Sequence, residues 1–515
     1  MWAAIFLSAL SGVLLTAGFP ALELYYVSWF ALIPLLVALQ KADGSKQAIR
    51  LGYICGLVHF LTALYWIRYV VYHYGGLPLP VALFVLLLLS AYLAIYPACF
   101  AYFAHRWQDR PVLWVLGLPC LWVTLEWIRA HAVTGFPWAN LGYTQTPLIS
   151  LVQVADITGV YGLSWLVVLG NTALMAVLNI SRFGMRTALS SAAIFAACFA
   201  AAISYGAWRI GDIERFEKNA KDLTVGVVQG NIDQSQKWDP AFKKETLKRY
   251  RDLSLKAAAH DPRPDLLVWP ETSVPFFYGI DEKLTPELNE ILKEIGRPLL
   301  FGSPGIKVID GQARLQNRAY ITDGNAKLLG AYAKQHLVPF GEYVPLQKIL
   351  FFVNRLVQAA GDFVPGNDPA PLVLDGIRLG VLICYEDVFP RLARMTVQRD
   401  AVALVNITND AWYGDTSAPY QHVEMARWRA IEFRVPMVRA ANTGISGLFD
   451  ATGRARGIIP LNQEGYLVST LRPFPIMTFY ARWGDLFAWG CVLIAVSGAL
   501  HSLKRKHRSV SMVLD

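Results

Sequence analysis

The chain has 515 residues, 55% of them hydrophobic and 17% charged, with 16 Trp. A mean hydropathy of +0.36 excludes an ordinary soluble globular protein and points to an integral membrane protein with room for one full soluble domain. The formal net charge of +9 invites a polyanionic partner, but the distribution of that charge along the chain gives a different account.

In chain order, apolar runs over roughly 3–19, 25–40, 50–72, 79–104, 111–130, 160–180 and 187–208, with a last one over 484–502, read as about eight membrane spans. The first run lacks a basic leader, and Ala17-Gly18-Phe19-Pro20 is a poor cleavage site, so this run is expected to stay as a span. Basic residues cluster in alternate connections: Lys41, Lys46 and Arg50; Arg106 and Arg110; Arg182 and Arg186; then Lys504, Arg505, Lys506 and Arg508. These stretches hold 11 Lys and Arg against Asp43, Asp109 and Asp515, which accounts for +8 of the +9. The other connections nearly lack cations, Arg129 at a helix end being the exception. The positive-inside rule then puts both termini in the cytoplasm and the long segment before the last span outside. The basicity is a topology signal and calls for no nucleic acid. The expected organisation is a transmembrane bundle of seven helices over 1–212, a catalytic domain over 220–475, a final transmembrane helix over 482–503 and a basic cytoplasmic tail over 504–515.

Within the outward segment, Leu223–Gln229, Asp265–Trp269, Leu299–Gly302, Arg318–Thr322, Leu379–Ile383, Ala401–Ile407 and Pro436–Ala441 read as strands. Ala241–His260, Pro286–Ile295 and Gln421–Glu432 read as helices, and the alternation predicts an α/β layered domain. Pro345–Ala360 and Phe276-Phe277-Tyr278 are apolar beyond what a soluble domain needs. They fit either buried loop packing or an arm that touches the bilayer and admits a lipid chain.

Cys384, in V-L-I-C-Y-E-D-V, is the only cysteine of this segment; Cys55, Cys99, Cys120, Cys198 and Cys491 all lie in apolar membrane runs. A lone thiol closing an apolar strand is either a small buried core residue or a nucleophile, and its neighbours decide. Two further motifs also close strand-like runs. One is Leu-Val-Trp-Pro-Glu-Thr, carrying Glu271; the other runs from Tyr332 through Lys334 and His336 to Glu342. A Glu, a Lys and a Cys in such positions can converge at one edge of a sheet. A thiol is mostly protonated at neutral pH and needs a base, which Glu271 can be. An ammonium can hold the oxyanion of a tetrahedral intermediate, a task for Lys334 with the backbone N–H of Tyr385. Glu342 can orient Lys334 and keep it charged, while His336 reads as structural. Scattered histidines and the lack of ligand spacing call for no metal and no cofactor, and no glycine-rich phosphate loop suggests a nucleotide-driven transporter.

These motifs resemble the nitrilase, or carbon-nitrogen hydrolase, superfamily, and more closely its membrane-bound branch, the apolipoprotein N-acyltransferases. Gln229-Gly230-Asn231 with Trp238, Trp-Pro-Glu-Thr, Lys-x-His-Leu-Val-Pro-Phe-Gly-Glu, Cys-Tyr-Glu and Asn-Asp-Ala-Trp occur in that family's order, as does Thr134-Gly135-Phe136-Pro137-Trp138 in the membrane region. The resemblance spans essentially the whole chain. It implies an α-helical transmembrane bundle plus an outward-facing nitrilase-like αββα sandwich with a Glu271-Lys334-Cys384 triad. It also implies two-step acyl transfer from a phospholipid acyl donor, through a cysteine thioester, to a diacylated apolipoprotein acceptor. Glu342, Tyr385, Glu386 and Trp238 would be supporting residues, with Trp238 and Tyr385 shaping the acyl and head-group region. The location implied is the lipid bilayer of a bacterial inner membrane, with the catalytic domain periplasmic; nothing in the sequence demands more than a monomer. Two alternatives remain at this point: a membrane-tethered amidase with water as acceptor, and a non-catalytic transporter or scaffold carrying a decayed nitrilase-like domain.

Overall fold

A computed structural model of the chain describes residues 1–234, 240–343 and 363–511, with side chains outside the description at 240 and from 503 onward. Trp238 and the apolar stretch Pro345–Ala360 lie outside the described residues. The chain divides into two compact units. One holds Met1–Arg68, Leu79–Arg209 and Trp483–Asp515, the other Tyr69–Pro78 and Ile210–Arg482.

The first unit is helical. Leu79–Trp107, Leu113–His131, Val160–Leu178 and Met185–Lys218 are long and apolar enough to cross a bilayer. Ser45–Ala63 and Trp66–Tyr74 pass the same test together, bent by 51° at the break between them. The apolar helices Trp2–Ala17, Tyr25–Gln40 and Leu486–Ser502 fall on the remaining apolar runs but are shorter, so among the described residues four helices, or five with the bent pair, are long and apolar enough to span, against the eight runs expected. The single span expected over 50–72 is therefore broken, and Tyr69–Pro78 belongs to the second unit, where Tyr74 meets Trp412 edge-on at 5.1 Å. The aromatic end of this run finds ring partners there that lipid would not offer.

Backbone that leaves the helical pattern within this unit is bonded by buried side chains. Glu126 accepts the Leu141 N–H at 2.7 Å, and Arg129 donates to Ala139 O at 3.2 Å and Asn140 Oδ1 at 2.7 Å. Asn171 accepts the Leu32 N–H and donates to Ser28 O, both at 2.9 Å. In an apolar medium such groups find no water, so side chains must serve. Arg129 is thus a buried structural cation, which explains why it breaks the topology pattern.

The second unit is the αββα sandwich. Its strands are β1 Leu223–Gln229, β2 Leu266–Val268, β3 Leu299–Ile309, β4 Gln312–Thr322, β5 Leu328–Ala333, β6 Leu372–Leu374, β7 Ile377–Ile383, β8 Ala403–Thr408, β9 Met437–Ala441, β10 Ser446–Phe449, β11 Ala455–Ile459 and β12 Gly465–Leu471. They form two six-stranded sheets, ordered β12-β1-β2-β3-β4-β5 and β11-β10-β9-β8-β7-β6. The sheets pack on each other, β1 against β9 and β4 against β7. At their centres β1 and β2, and β7, β8 and β9, run parallel. Such strands are buried on both faces, and β1, β8 and β9 accordingly bury every residue.

The helix Lys243–Ala258 buries Leu247, Tyr250, Leu253, Ser254 and Ala257 at three- and four-residue steps. Leu284–Ile295 does the same with Leu288, Ile291, Leu292 and Ile295, and ends at Gly296 in the left-handed region. Both helices close over a core of Trp269, Leu299, Phe301 and Tyr320 on the first sheet. Pro390–Val397 and Ala418–Phe433 cover the second sheet.

Trp269 anchors the loop that follows β2. It is fully buried, stacks on Tyr250 at 5.0 Å and donates its indole N–H to Ser254 Oγ at 2.8 Å. Chemical denaturation of the full-length protein in detergent should show Trp269→Ala losing about 3–5 kcal/mol of stability. Trp269→Phe, which keeps most of the ring and loses the hydrogen bond, should lose about 1–2 kcal/mol beyond any packing change.

Candidate active site

Glu271, Lys334 and Cys384 each follow the end of a strand, β2, β5 and β7 in turn. The first two belong to one sheet and the third to the other. The groups therefore meet between the ends of two stacked sheets, and the expectation of a single sheet edge is corrected. Stacking brings β4 over β7, so residues far apart in the chain face one another.

Glu271 sits in a tight turn laid on β3. A Cβ on Gly302 would lie 2.7 Å from Glu271 Cα, so only glycine lets the backbone come this close. The Glu271 carboxylate accepts the side-chain N–H of Asn317 at 2.7 Å and the backbone N–H of Asn409 at 2.9 Å. Lys334 Nζ lies 3.7 Å from Glu271 Oε1 and 3.0 Å from Glu342 Oε1. Glu342 also accepts the Val338 N–H at 2.8 Å, which folds the loop carrying it back over the lysine. Lys334 is 1% exposed. Burial opposes its charge, yet Glu342 and Glu271 outweigh that penalty and hold the ammonium well above the ordinary lysine value.

Cys384 adopts φ +53°, a left-handed conformation unusual for a residue with a side chain, at the turn from β7 into Cys384–Val388. Its carbonyl accepts an N–H of Asn406 at 3.2 Å. The thiol is 7% exposed, and it, Glu271 and Lys334 influence one another electrostatically. Burial pushes the thiol up, Glu271 and Asp410 add to this, and Lys334 and Thr408 pull the other way. The net effect is a thiol well above its ordinary value, neutral at rest.

The two acids after Cys384 point to different tasks. Glu386 is fully buried and accepts the backbone N–H groups of Gln335 at 2.6 Å, His336 at 3.0 Å and Ile383 at 2.7 Å, together with the Tyr332 hydroxyl. It thus pins the lysine loop to the cysteine turn. Burial pushes its carboxyl up to about 7, against the lowering effect of those N–H donors and Lys334. Asp387 faces the opposite way, into a cluster with His422, Asp410 and Arg439. His422 Nε2 is 2.8 Å from Asp387 and Nδ1 3.0 Å from Asp410, while Arg439 donates to Asp387 at 2.6 Å and to Asp410 at 2.8 Å. Two carboxylates, one imidazolium and one guanidinium balance in charge. Sequence reasoning missed this cluster, although the Arg in the otherwise apolar Met437-Val438-Arg439-Ala440-Ala441 was its visible signal. It also missed Asn317, which a lone Asn in a strand does not advertise.

Tyr385 lies buried with its ring against Phe389 at 5.1 Å. The His336 ring packs at a tilt against Phe389, centroids 4.0 Å apart, and burial together with Arg391 and Lys334 lowers it to about 4, so it is neutral. Among the described residues no group of three or more His, Cys, Asp or Glu converges as a metal site.

Residues 11–173 match the family described as apolipoprotein N-acyltransferase N-terminal domain, and residues 224–474 match carbon-nitrogen hydrolase. An apolipoprotein N-acyltransferase of Geobacter metallireducens is 43% identical over 97% of this chain and 95% of its own length. One from Methylococcus capsulatus is 33% identical over 98% of this chain and 97% of its own. Among solved structures, an amidase from Nesterenkonia sp. is similar at 22% identity and a TM-score of 0.36, covering 48% of this chain and 90% of that one.

The charge cluster generates a pH dependence. Burial opposes the His422 imidazolium and Arg439 repels it, but Asp387 and Asp410 prevail and raise it to about 9. A raised histidine contributes stability that is fully present below pH 6.5 and is lost as pH rises through about 9. Melting of the full-length protein should therefore show a fall between pH 7 and pH 9.5 on the order of 3 kcal/mol. His422→Gln should lower stability at pH 6.5 and flatten that fall; an unchanged pH slope in the variant would remove His422 as its source.

Proposed function

The chain belongs to the apolipoprotein N-acyltransferase family, and from that premise we propose that it carries an acyl chain from a phospholipid to the N-terminal α-amino group of a diacylglyceryl-cysteine apolipoprotein. A thioester on Cys384 is the intermediate. The observation that carries this reading is a buried, charged ammonium held between two carboxylates that share one amide donor, with a neutral buried thiol that feels both the ammonium and Glu271 electrostatically.

In the first half-reaction Glu271 takes the Cys384 proton as sulfur attacks the ester carbonyl carbon. A thiol held neutral at rest makes that transfer part of the attack, so no free thiolate waits in the site. The tetrahedral oxyanion forms between the Lys334 ammonium and the Tyr385 N–H. Its collapse breaks the ester C–O bond, and Glu271 returns the proton to the lysophospholipid oxygen. In the second half-reaction Glu271 takes a proton from the incoming amine, nitrogen attacks the thioester, and sulfur leaves and recovers the proton. Two substrates using one covalent intermediate give ping-pong kinetics. Glu342 keeps Lys334 charged, Glu386 fixes the lysine loop against the cysteine turn, and Trp238 and Tyr385 shape the acyl and head-group region.

Both substrates carry lipid chains, and each methylene exposed to water costs about 0.8 kcal/mol, so the exchange belongs at a bilayer surface. The alternation of cations along the chain supports an inner-membrane protein with cytoplasmic termini and a periplasmic catalytic domain.

The test is a lipopeptide acylation assay on the purified full-length protein. Mass spectrometry after exposure to phospholipid alone should find an acyl adduct on Cys384, and Cys384→Ala should abolish both adduct and product. Glu271→Gln should bind phospholipid without accumulating acyl-enzyme. Lys334→Met should lower the acylation rate by about 10²–10³. Hydrolysis of phospholipid with no acylated lipopeptide would favour the amidase reading, and an adduct on any other residue would overturn the assignment of the nucleophile.

A further inference from the structure

Asn317, on β4, stands among the acid–base groups and is used by none of the steps above. Its side-chain amide donates to Glu271 Oε1 at 2.7 Å and to Glu342 Oε1 at 3.1 Å, while its backbone carbonyl accepts the Lys334 backbone N–H at 2.9 Å. Chemistry decides which way round the amide sits: the reverse orientation would aim its oxygen at two carboxylates. The amide nitrogen is thus committed to the carboxylates. Its oxygen, Oδ1, is buried and has no hydrogen-bond partner among the described residues, in a side chain belonging to a residue only 7% exposed. A buried acceptor without a donor is uncommon and unfavourable, and this one shares a carbon with the nitrogen that touches Glu271.

We propose that Asn317 Oδ1 recognises the amine acceptor, receiving one N–H of the incoming α-amino group while Glu271 receives the other. This rests on the function proposed above and adds a residue that tells the second substrate from the first. Counting hydrogens gives the reason. The ester carbonyl and the departing alkoxide bring no hydrogen, and one proton from Glu271 completes the first half-reaction. A neutral primary amine brings a lone pair and two N–H groups. The lone pair forms the N–C bond as the C–S bond breaks, and one hydrogen passes through Glu271 to sulfur. The second N–H needs an acceptor in a buried site. Lys334 and the Tyr385 N–H are donors, and Glu342 already accepts from Lys334, Asn317 and Val338. Asn317 Oδ1, whose amide nitrogen already touches Glu271, is a buried acceptor with no donor among the described residues.

The experiment compares the full-length wild-type protein with Asn317→Ala and the isosteric Asn317→Asp in phospholipid vesicles. It measures acyl-Cys384 formation and, separately, acyl transfer to a diacylated lipopeptide bearing either a free or an N-methylated amino terminus. In Asn317→Ala, transfer should fall about tenfold further than acylation, so that acyl-enzyme accumulates. N-methylation, which removes the second N–H, should slow the wild-type protein by about tenfold and leave Asn317→Ala within about twofold. Asn317→Asp retains an acceptor and loses the donors, so it should be slow in acylation yet still sensitive to N-methylation. Equal losses in both half-reactions of Asn317→Ala, or equal sensitivity to N-methylation in wild type and Asn317→Ala, would overturn the assignment; so would loss of that sensitivity in Asn317→Asp. Absence of any Cys384 adduct in the wild-type protein would instead sink the underlying function, so the two failures read out separately.

Discussion

A buried ammonium organises the catalytic unit. Removing a charge from water is unfavourable by several kcal/mol unless opposite charges and hydrogen bonds surround it. Lys334 meets that requirement through Glu342 in direct contact and Glu271 slightly further off. Two carboxylates around one cation would repel each other, and the Asn317 amide lies between them, donating to both. The loop that carries the lysine is in turn tied down by its own backbone, through the Gln335 and His336 N–H groups on Glu386. The need to keep one cation dry and charged thus reaches from β4 and β5 across to the turn after β7.

That turn holds the second constraint. A cysteine at φ +53° stores strain and persists only where its neighbours leave no alternative. Here the residues on both sides are fastened. Asn406 binds the Cys384 carbonyl, Glu386 binds the Ile383 N–H, and Asp387 is locked by Arg439 and His422. The charge-balanced cluster joins β9, the end of β8 and the Ala418–Phe433 helix to the turn, so the layers of the second sheet share in positioning one sulfur atom. Breaking such a cluster by removing one member leaves an uncompensated buried charge, so the residues that follow Cys384 are held firmly in place.

The helical unit solves a related problem in a different medium. There the buried charges serve backbone groups: Glu126 and Arg129 bond the non-helical stretch that ends at Leu141, where lipid offers no hydrogen bonds. The same residue types, acid and base, surround a buried ammonium in one unit and bond backbone in the other.

Much of this protein was legible in the residue order. Hydropathy marks the membrane helices because a span must be long and apolar whatever its neighbours are. Period and turn chemistry mark β1, β2, β3, β4, β7, β8 and β9, whose apolar runs are buried on both faces. The motifs around Glu271, Lys334 and Cys384 are local strings, so the family follows from them directly. The missed strands, β5, β6 and β10 to β12, are short or half-exposed; their pairing partners, more than their own composition, make them strands. The break in the Ser45–Tyr74 run was hidden for the same reason, since ring partners remote in the chain decide it. Asn317 between two carboxylates, and Asp387 against Arg439 and His422, were invisible in order alone. A hydrogen bond between residues far apart in the chain is a property of the stacking of two sheets. The sequence by itself determined the apolar runs and the family, because both are written in local residue order; the tertiary structure alone decided which runs are long unbroken helices, which partners keep the lysine charged and the cysteine strained, and that the Asn317 amide oxygen has no donor among the described residues.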